Sequence, residues 1–134
     1  MKRGCILLLL LLILSLPGSV FATNWVRVGT GEYFIDSETV EIGKSGSELS
    51  YWEYYIGQGG YKWLSHYYIR LKENPQKANL LKGFLYKPDN QLEHEIIHPH
   101  SFSVPEDSAI KKAIDVALGY AQEKEQNDEI PKLP

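Results

Sequence analysis

From residue 24 to residue 98, apolar and polar positions alternate in short runs. From 110 to 121 they recur at helical spacing. Asn24-Trp25-Val26-Arg27-Val28 alternates with period two, and Glu32-Tyr33-Phe34-Ile35-Asp36 follows after the turn Gly29-Thr30-Gly31. Val40-Glu41-Ile42 leads through Gly43-Lys44-Ser45-Gly46 into residues 49–56, where most positions are β-branched or aromatic. The glycine-rich loop 57–60, Asn74-Pro75 and Lys87-Pro88-Asp89-Asn90 separate further runs at 62–71, 78–86 and 91–98. Short alternating runs divided by Gly, Pro and Asn turns predict an antiparallel meander, here of about six strands. In the last segment Ile110, Ala113, Ile114, Ala117, Leu118 and Ala121 fall at i, i+3, i+4, i+7, i+8 and i+11. That spacing predicts an amphipathic helix, with a capping-box-like start at Ser103-Val104-Pro105-Glu106. One helix cannot bury its own stripe, so it is expected to pack across the sheet. Ile110, Ile114 and Leu118 should then meet Leu64, Leu80 and Phe84, or their neighbours one position along. The expected class is α+β: an antiparallel sheet with one C-terminal helix across it.

The first 22 residues have a different pattern. Lys2 and Arg3 precede an unbroken apolar run from 6 to 14, Pro17-Gly18 ends it, and Val20-Phe21-Ala22 suits a signal-peptidase cut. This is the layout of a secretory signal peptide, too short in its apolar part for an ordinary membrane span. The expected organisation is a signal peptide at 1–22, one domain at 23–122 and a loose polar tail at 123–134. The expected location is secreted, periplasmic or cell-surface.

Removing that segment changes the chemistry available. Cys5, the sole cysteine, leaves with it, which excludes a disulfide, a thiolate nucleophile and a thiolate metal site. Twelve basic and 17 acidic residues remain, a net charge of −5 with His neutral. A mildly acidic domain with no basic stripe is a poor nucleic-acid binder, and no second apolar segment could hold it in a membrane.

The segment His94-Glu95-Ile96-Ile97-His98 matches the H-E-x-x-H pattern of zinc peptidases. On a helix, residues four apart lie about 6 Å from each other on one face. On a strand, at roughly 3.3 Å per residue, they lie about 13 Å apart, out of reach of one metal with bonds of about 2 Å. Pro88-Asp89-Asn90 just upstream, the β-branched pair Ile96-Ile97 and Pro99 directly after His98 favour a strand. The alternative reading is a zinc-dependent hydrolase on His94, Glu95 and His98; the favoured one is a non-enzyme without cofactor. His98 and His100, on one side of an extended segment, read as exposed loop histidines, with a pair for a stray metal ion as the alternative. Gly43-Lys44-Ser45 lacks the upstream glycine of a phosphate loop, and Asp36 with Glu38 reads as a turn beside a strand end.

The largest compositional departure is aromatic. Tyr51, Trp52, Tyr54, Tyr55, Tyr61, Trp63, Tyr67 and Tyr68 are eight of the sixteen aromatic residues, packed into 18 positions. Alternation places Trp52, Tyr54 and Ile56 on one face of their strand and Tyr51, Glu53 and Tyr55 on the other. A helix covers one face, and the uncovered face should offer tyrosines to a partner; the alternative is that cross-strand tyrosine pairs serve only to stabilise the hairpin. The expected binding residues are Tyr51, Glu53, Tyr55, Tyr61 and His66.

Four stretches carry a family likeness. Trp25-Val26-Arg27-Val28-Gly29, then Tyr33-Phe34-Ile35-Asp36-Ser37-Glu38-Thr39-Val40, then Leu49-Ser50-Tyr51-Trp52, followed by Ile97-His98-Pro99-His100-Ser101 before the helix, resemble the bacterial surface-adhesin protein E family. The likeness spans roughly 24–121. Thr39 replaces an expected Ser, and the cysteine pair many members carry is absent. The resemblance implies a small α+β domain and adhesion to host proteins such as vitronectin and laminin. The expectation is therefore an exported, non-enzymatic domain with a protein or glycan partner, including host extracellular matrix. A saccharide-binding module and homodimerisation through the same face are the other readings.

Overall fold

The computed structural model describes residues 23–128. The expected signal peptide and residues 129–134 of the expected tail lie outside the described residues. Eight strands form one antiparallel sheet: β1 (Trp25–Arg27), β2 (Tyr33–Asp36), β3 (Glu41–Ile42), β4 (Glu48–Ile56), β5 (Lys62–Arg70), β6 (Lys77–Tyr86), β7 (Leu92–Ile96) and β8 (His100–Ser103). The order is β1-β2-β4-β5-β6-β7, with β3 beside β4 and β8 beside β6. Among the described residues one helix, α1 (Ala109–Asp128), follows the strands. The α+β class and the helix across an open antiparallel sheet agree with the sequence pattern. Two strands more than expected are present. One arises because the run after Pro99 resumes pairing: Phe102 lies opposite Ala78 and His100 opposite Leu80.

The central hairpin sets the frame. β4 and β5 pair over nine residues, from Glu48↔Arg70 to Ile56↔Lys62. Their connection carries a short 3-10 turn in which Gly59 and Gly60 have φ of 71° and 79°, a conformation glycine adopts without a Cβ clash. On the other side, β6 follows β5 with a register shift at His66/Tyr67. Leu80 pairs with Tyr67 and Lys82 with His66, so Leu81 is the extra, exposed residue of a bulge.

Alternation then assigns the two faces. Leu49, Tyr51, Ile69, Ala78 and Ile35 point to the helix side and are buried with Ala113, Ile114, Ala117 and Ala121 in one core cluster. At the same level the other face carries Ser50, Tyr68, Asn79, Arg70 and Lys77. Burying those would strand polar groups, so the helix takes the apolar side. Leu64 and Phe84, expected beneath the helix, lie on the far face. Leu80 does lie on the helix side and is buried.

The helix sits over β2, β3 and β4. Its buried residues are mostly alanine, which lets its backbone approach the sheet closely. Ser108 is its N-cap, with its hydroxyl accepting the Lys111 amide at 3.2 Å, in place of the expected Ser103. The helix also runs past residue 122, through the first part of the expected tail. Lys124 explains why it stays docked: its ammonium donates to the carbonyls of Glu38 at 2.8 Å and Val40 at 3.3 Å. Among the described residues no helix is long and apolar enough to cross a membrane.

Candidate functional site

His94, Glu95 and Ile96 belong to β7, and His98 lies in the loop that follows. His94 pairs with Leu85 and Glu95 with Phe84, so the two side chains leave opposite faces of the sheet. A zincin needs its two histidines and its glutamate gathered on one helix, and this backbone separates them. Among the described residues no group of three or more His, Cys, Asp or Glu gathers to hold a metal. Asp36 is buried for a structural purpose: its carboxylate accepts the amides of Asn24 at 2.8 Å and Glu38 at 3.2 Å, which closes the turn after β2.

The aromatic residues divide into two constellations, one per face. On the helix-free face a ribbon of rings crosses the sheet. Trp25 packs on Tyr54 at 5.6 Å between centroids, and Phe34 on Tyr54 at 5.8 Å. Trp52 stacks on His66 at 4.6 Å and 7°, and reaches Phe84 at 6.4 Å. Arg27 caps one end, its guanidinium 5.3 Å from the Phe34 ring. His66 is half-buried, and that burial, together with neighbouring Lys82, lowers its pKa from 6.5 while Glu41 opposes the shift. No described element lies over these rings. Register also places Lys62, Arg70, Lys77 and Lys82 on this face, together with Glu41, Glu48 and Glu95.

On the helix side, α1 stops short of the far end of the β4–β5 hairpin. A cleft of about 340 Å³ opens there. Tyr33, Tyr55, Trp63 and Tyr67 wall it, Leu80 and Ile96 close one side, and Glu53 and Ser65 form the floor. Sheet pairing creates the grouping: Tyr33 is opposite Tyr55, Tyr55 opposite Trp63, and Glu53 opposite Ser65. The rings of Tyr33 and Tyr55 are 5.9 Å apart. Glu53 is only 4% exposed, and its carboxyl accepts a long hydrogen bond of 3.4 Å from the Tyr51 hydroxyl. Burial lifts its pKa from 4.5 to about 8, so the group is largely a neutral acid at pH 7. Burial also raises Tyr51, with Tyr67 adding to the effect. Tyr67 is raised to about 12 by burial and by Glu53, against a hydrogen bond to Ser65.

The five expected binding residues therefore do not share an uncovered face. Tyr51 is fully buried and Glu53 nearly so, both on the helix side. Tyr55 is 43% exposed at the cleft mouth, and Tyr61 is 37% exposed beside the hairpin turn. His66 lies on the opposite face, stacked on Trp52. Period two correctly separated Tyr51, Glu53 and Tyr55 from Trp52 and Tyr54. The reversal concerns which set the helix covers. Trp25, Phe34, Trp52 and Phe84 were not among the expected residues, nor were Tyr33, Trp63 and Tyr67. The polar residues Ser50, Tyr68 and Asn79, in phase with Trp52, were the available signal for the open face.

No family model matches the chain, and no curated protein and no solved structure matches it either. The likeness to the adhesin protein E family accordingly rests on the short motifs around Trp25, Tyr33–Val40, Leu49–Trp52 and Ile97–Ser101.

Proposed function

We propose that the chain is an exported, non-enzymatic binding domain that docks a protein surface, in the envelope or on a host, through the helix-free face of its sheet. The observation that carries this reading is the ring ribbon of Trp25, Phe34, Tyr54, Trp52, His66 and Phe84, with no described element packed on it. A two-layer domain needs one sheet face for its core. Trp25 is exposed and Phe34, Trp52, Tyr54, His66 and Phe84 are partly so; rings on a second sheet face supply contact area at low conformational cost, and contiguous aromatic area open to solvent marks interaction sites. Lys62, Arg70, Lys77 and Lys82 share the face with Glu41, Glu48 and Glu95, so charges of both signs surround the rings and can set the orientation of a partner. The motif resemblance to a surface-adhesin family supports the same class of activity, and the pattern of residues 1–22 supports export. Mass spectrometry of exported protein is expected to find Thr23 at the N-terminus; a full-length, membrane-held product would overturn the export step.

The binding test uses Trp52→Ala and Tyr54→Ala against vitronectin, laminin and a glycan panel. Each substitution is expected to weaken protein binding by about tenfold or more, as central aromatic residues of interfaces do, while circular dichroism stays unchanged. Binding confined to glycans would replace this reading with a saccharide module. A dimer dispersed by Trp52→Ala in size-exclusion chromatography, without any other partner, would make the face a self-association surface.

A further inference from the structure

We propose that the cleft on the helix side of the sheet is a second, small-ligand site, and that it takes a quaternary ammonium group. Tyr33, Tyr55, Trp63 and Tyr67 present four rings around one carboxyl, that of Glu53. No Lys or Arg lines this cleft, so the ligand must supply whatever positive charge the carboxyl meets. Aromatic walls attract a cation through the negative potential of their faces, most strongly where water is excluded. A primary ammonium would need several acceptors for its N–H groups. The cleft does offer acceptors, in Glu53, the Ser65 hydroxyl and phenolic oxygens, but most of its wall is ring and aliphatic surface. A methylated nitrogen has no N–H to satisfy and presents only methyl groups to rings, which matches this lining.

The anchoring of Glu53 supports the assignment. Its carboxyl sits on the central strand β4, opposite Ser65 of β5, with Tyr51 donating to it from the same strand. The titratable groups facing it are the phenols of Tyr51 and Tyr67, neither of which ionises near neutral pH. Burial keeps the empty site largely uncharged at pH 7. An arriving organic cation that loses its own water there is stabilised by the carboxylate that forms on loss of the proton. A small, strongly hydrated ion gains less, because rings do not replace its water. Tyr55, exposed at the mouth, and Trp63 place an optical reporter and a removable wall at the same point.

The same nitrogen chemistry can reach the cleft as a free solute or as a lipid headgroup. The test titrates the full mature chain with choline and with its neutral isostere 3,3-dimethyl-1-butanol, following tryptophan fluorescence and calorimetry. Vesicles of phosphatidylcholine and of phosphatidylglycerol form the second arm. Saturable binding of choline that the neutral isostere does not reproduce is expected. Glu53→Gln and Tyr55→Ala should each weaken it by about tenfold or more, while Trp52→Ala, on the other face, should leave it unchanged. Choline binding without vesicle binding assigns the site to a free solute. Binding to phosphatidylcholine vesicles alone, lost in both cleft variants, assigns it to a headgroup. Equal binding of the neutral isostere, retention of affinity in a folded Glu53→Gln variant, or no binding in either arm overturns the proposal. Tyr55→Ala, at an exposed position, keeps the test decisive should Glu53→Gln alter the fold.

Discussion

Replacing Ile114 with alanine is expected to cost about 2–5 kcal/mol of stability, the range for deleting a fully buried aliphatic side chain. Ile114 is completely buried, whereas Ile110 and Leu118 on the same stripe are only partly so. Its helical neighbours in the core are Ala113, Ala117 and Ala121. Those alanines bring α1 close to β2, β3 and β4, and Ile114 is then the large, fully buried helix side chain in the cluster that also holds Leu49, Tyr51 and Ile69. Small neighbours cannot swing in to fill the space it leaves, so the cavity term should persist. Against a typical total of about 5–15 kcal/mol the loss is large. Urea unfolding should report a lower midpoint with an unchanged slope. Leu118→Ala should cost less than Ile114→Ala in the same experiment. Equal losses, or a loss below about 1 kcal/mol at Ile114, would mean that the helix is peripheral to the core. The converse substitution, Ala117→Leu, should also destabilise, by about 1–3 kcal/mol, because it pushes the helix off the sheet.

The helix stripe and the strand alternation were legible because each is a local property. Ile110 to Ala121 carry a 3.6-residue period that no tertiary contact is needed to see. Leu49 to Ile56 likewise sort into two faces by parity alone, and that sorting held. What parity leaves open is which set turns inward. The presence of Glu53 beside Tyr51 and Tyr55 made that set look like the wet one, since a glutamate is seldom buried without a partner. The deciding information is spread over neighbouring strands: Ser50, Tyr68 and Asn79 become mutual neighbours only once β4, β5 and β6 are paired. Register is non-local, and the bulge at Leu81 shifts it by one residue. The cleft was illegible for the same reason. Tyr33, Tyr55 and Trp63 are scattered over 31 positions and meet only through the pairings Tyr33↔Tyr55 and Tyr55↔Trp63. His94 and His98 are the opposite case, because local signals, the turn before them, Ile96-Ile97 and Pro99, were enough to predict an extended segment in place of a helix; β7 ends at Ile96, so His98 falls just past the strand that the pattern carried to it.

Glu53→Gln is expected to remove a slope from the pH dependence of stability. The folded-state pKa of Glu53 is about 8, above its ordinary value of 4.5, because burial disfavours the charged form. Between those two values the native protein binds the proton more tightly than the unfolded chain does. The contribution of Glu53 is therefore fully present below about pH 4.5, falls as pH rises, and is lost once pH passes the folded value. Across the window the loss approaches about 1.4 kcal/mol for each pH unit. Glutamine is close in shape, keeps an acceptor for the Tyr51 hydroxyl and cannot ionise, so the variant should lack this loss. His66 also titrates in part of the window, with a pKa lowered by burial and by Lys82. It lies on the opposite face and is present in both proteins, so its effect cancels in the difference between them. Denaturant unfolding of the two proteins at pH 5, 6.5 and 8 isolates the Glu53 contribution. The variant should gain on the native sequence at each step, with the gap at pH 8 the largest. A difference that stays flat from pH 5 to pH 8 would mean that Glu53 is ionised in the folded protein throughout. That result would put water or a cation beside the carboxyl in the free protein, and would remove the uncharged resting state of the cleft while leaving its aromatic walls in place.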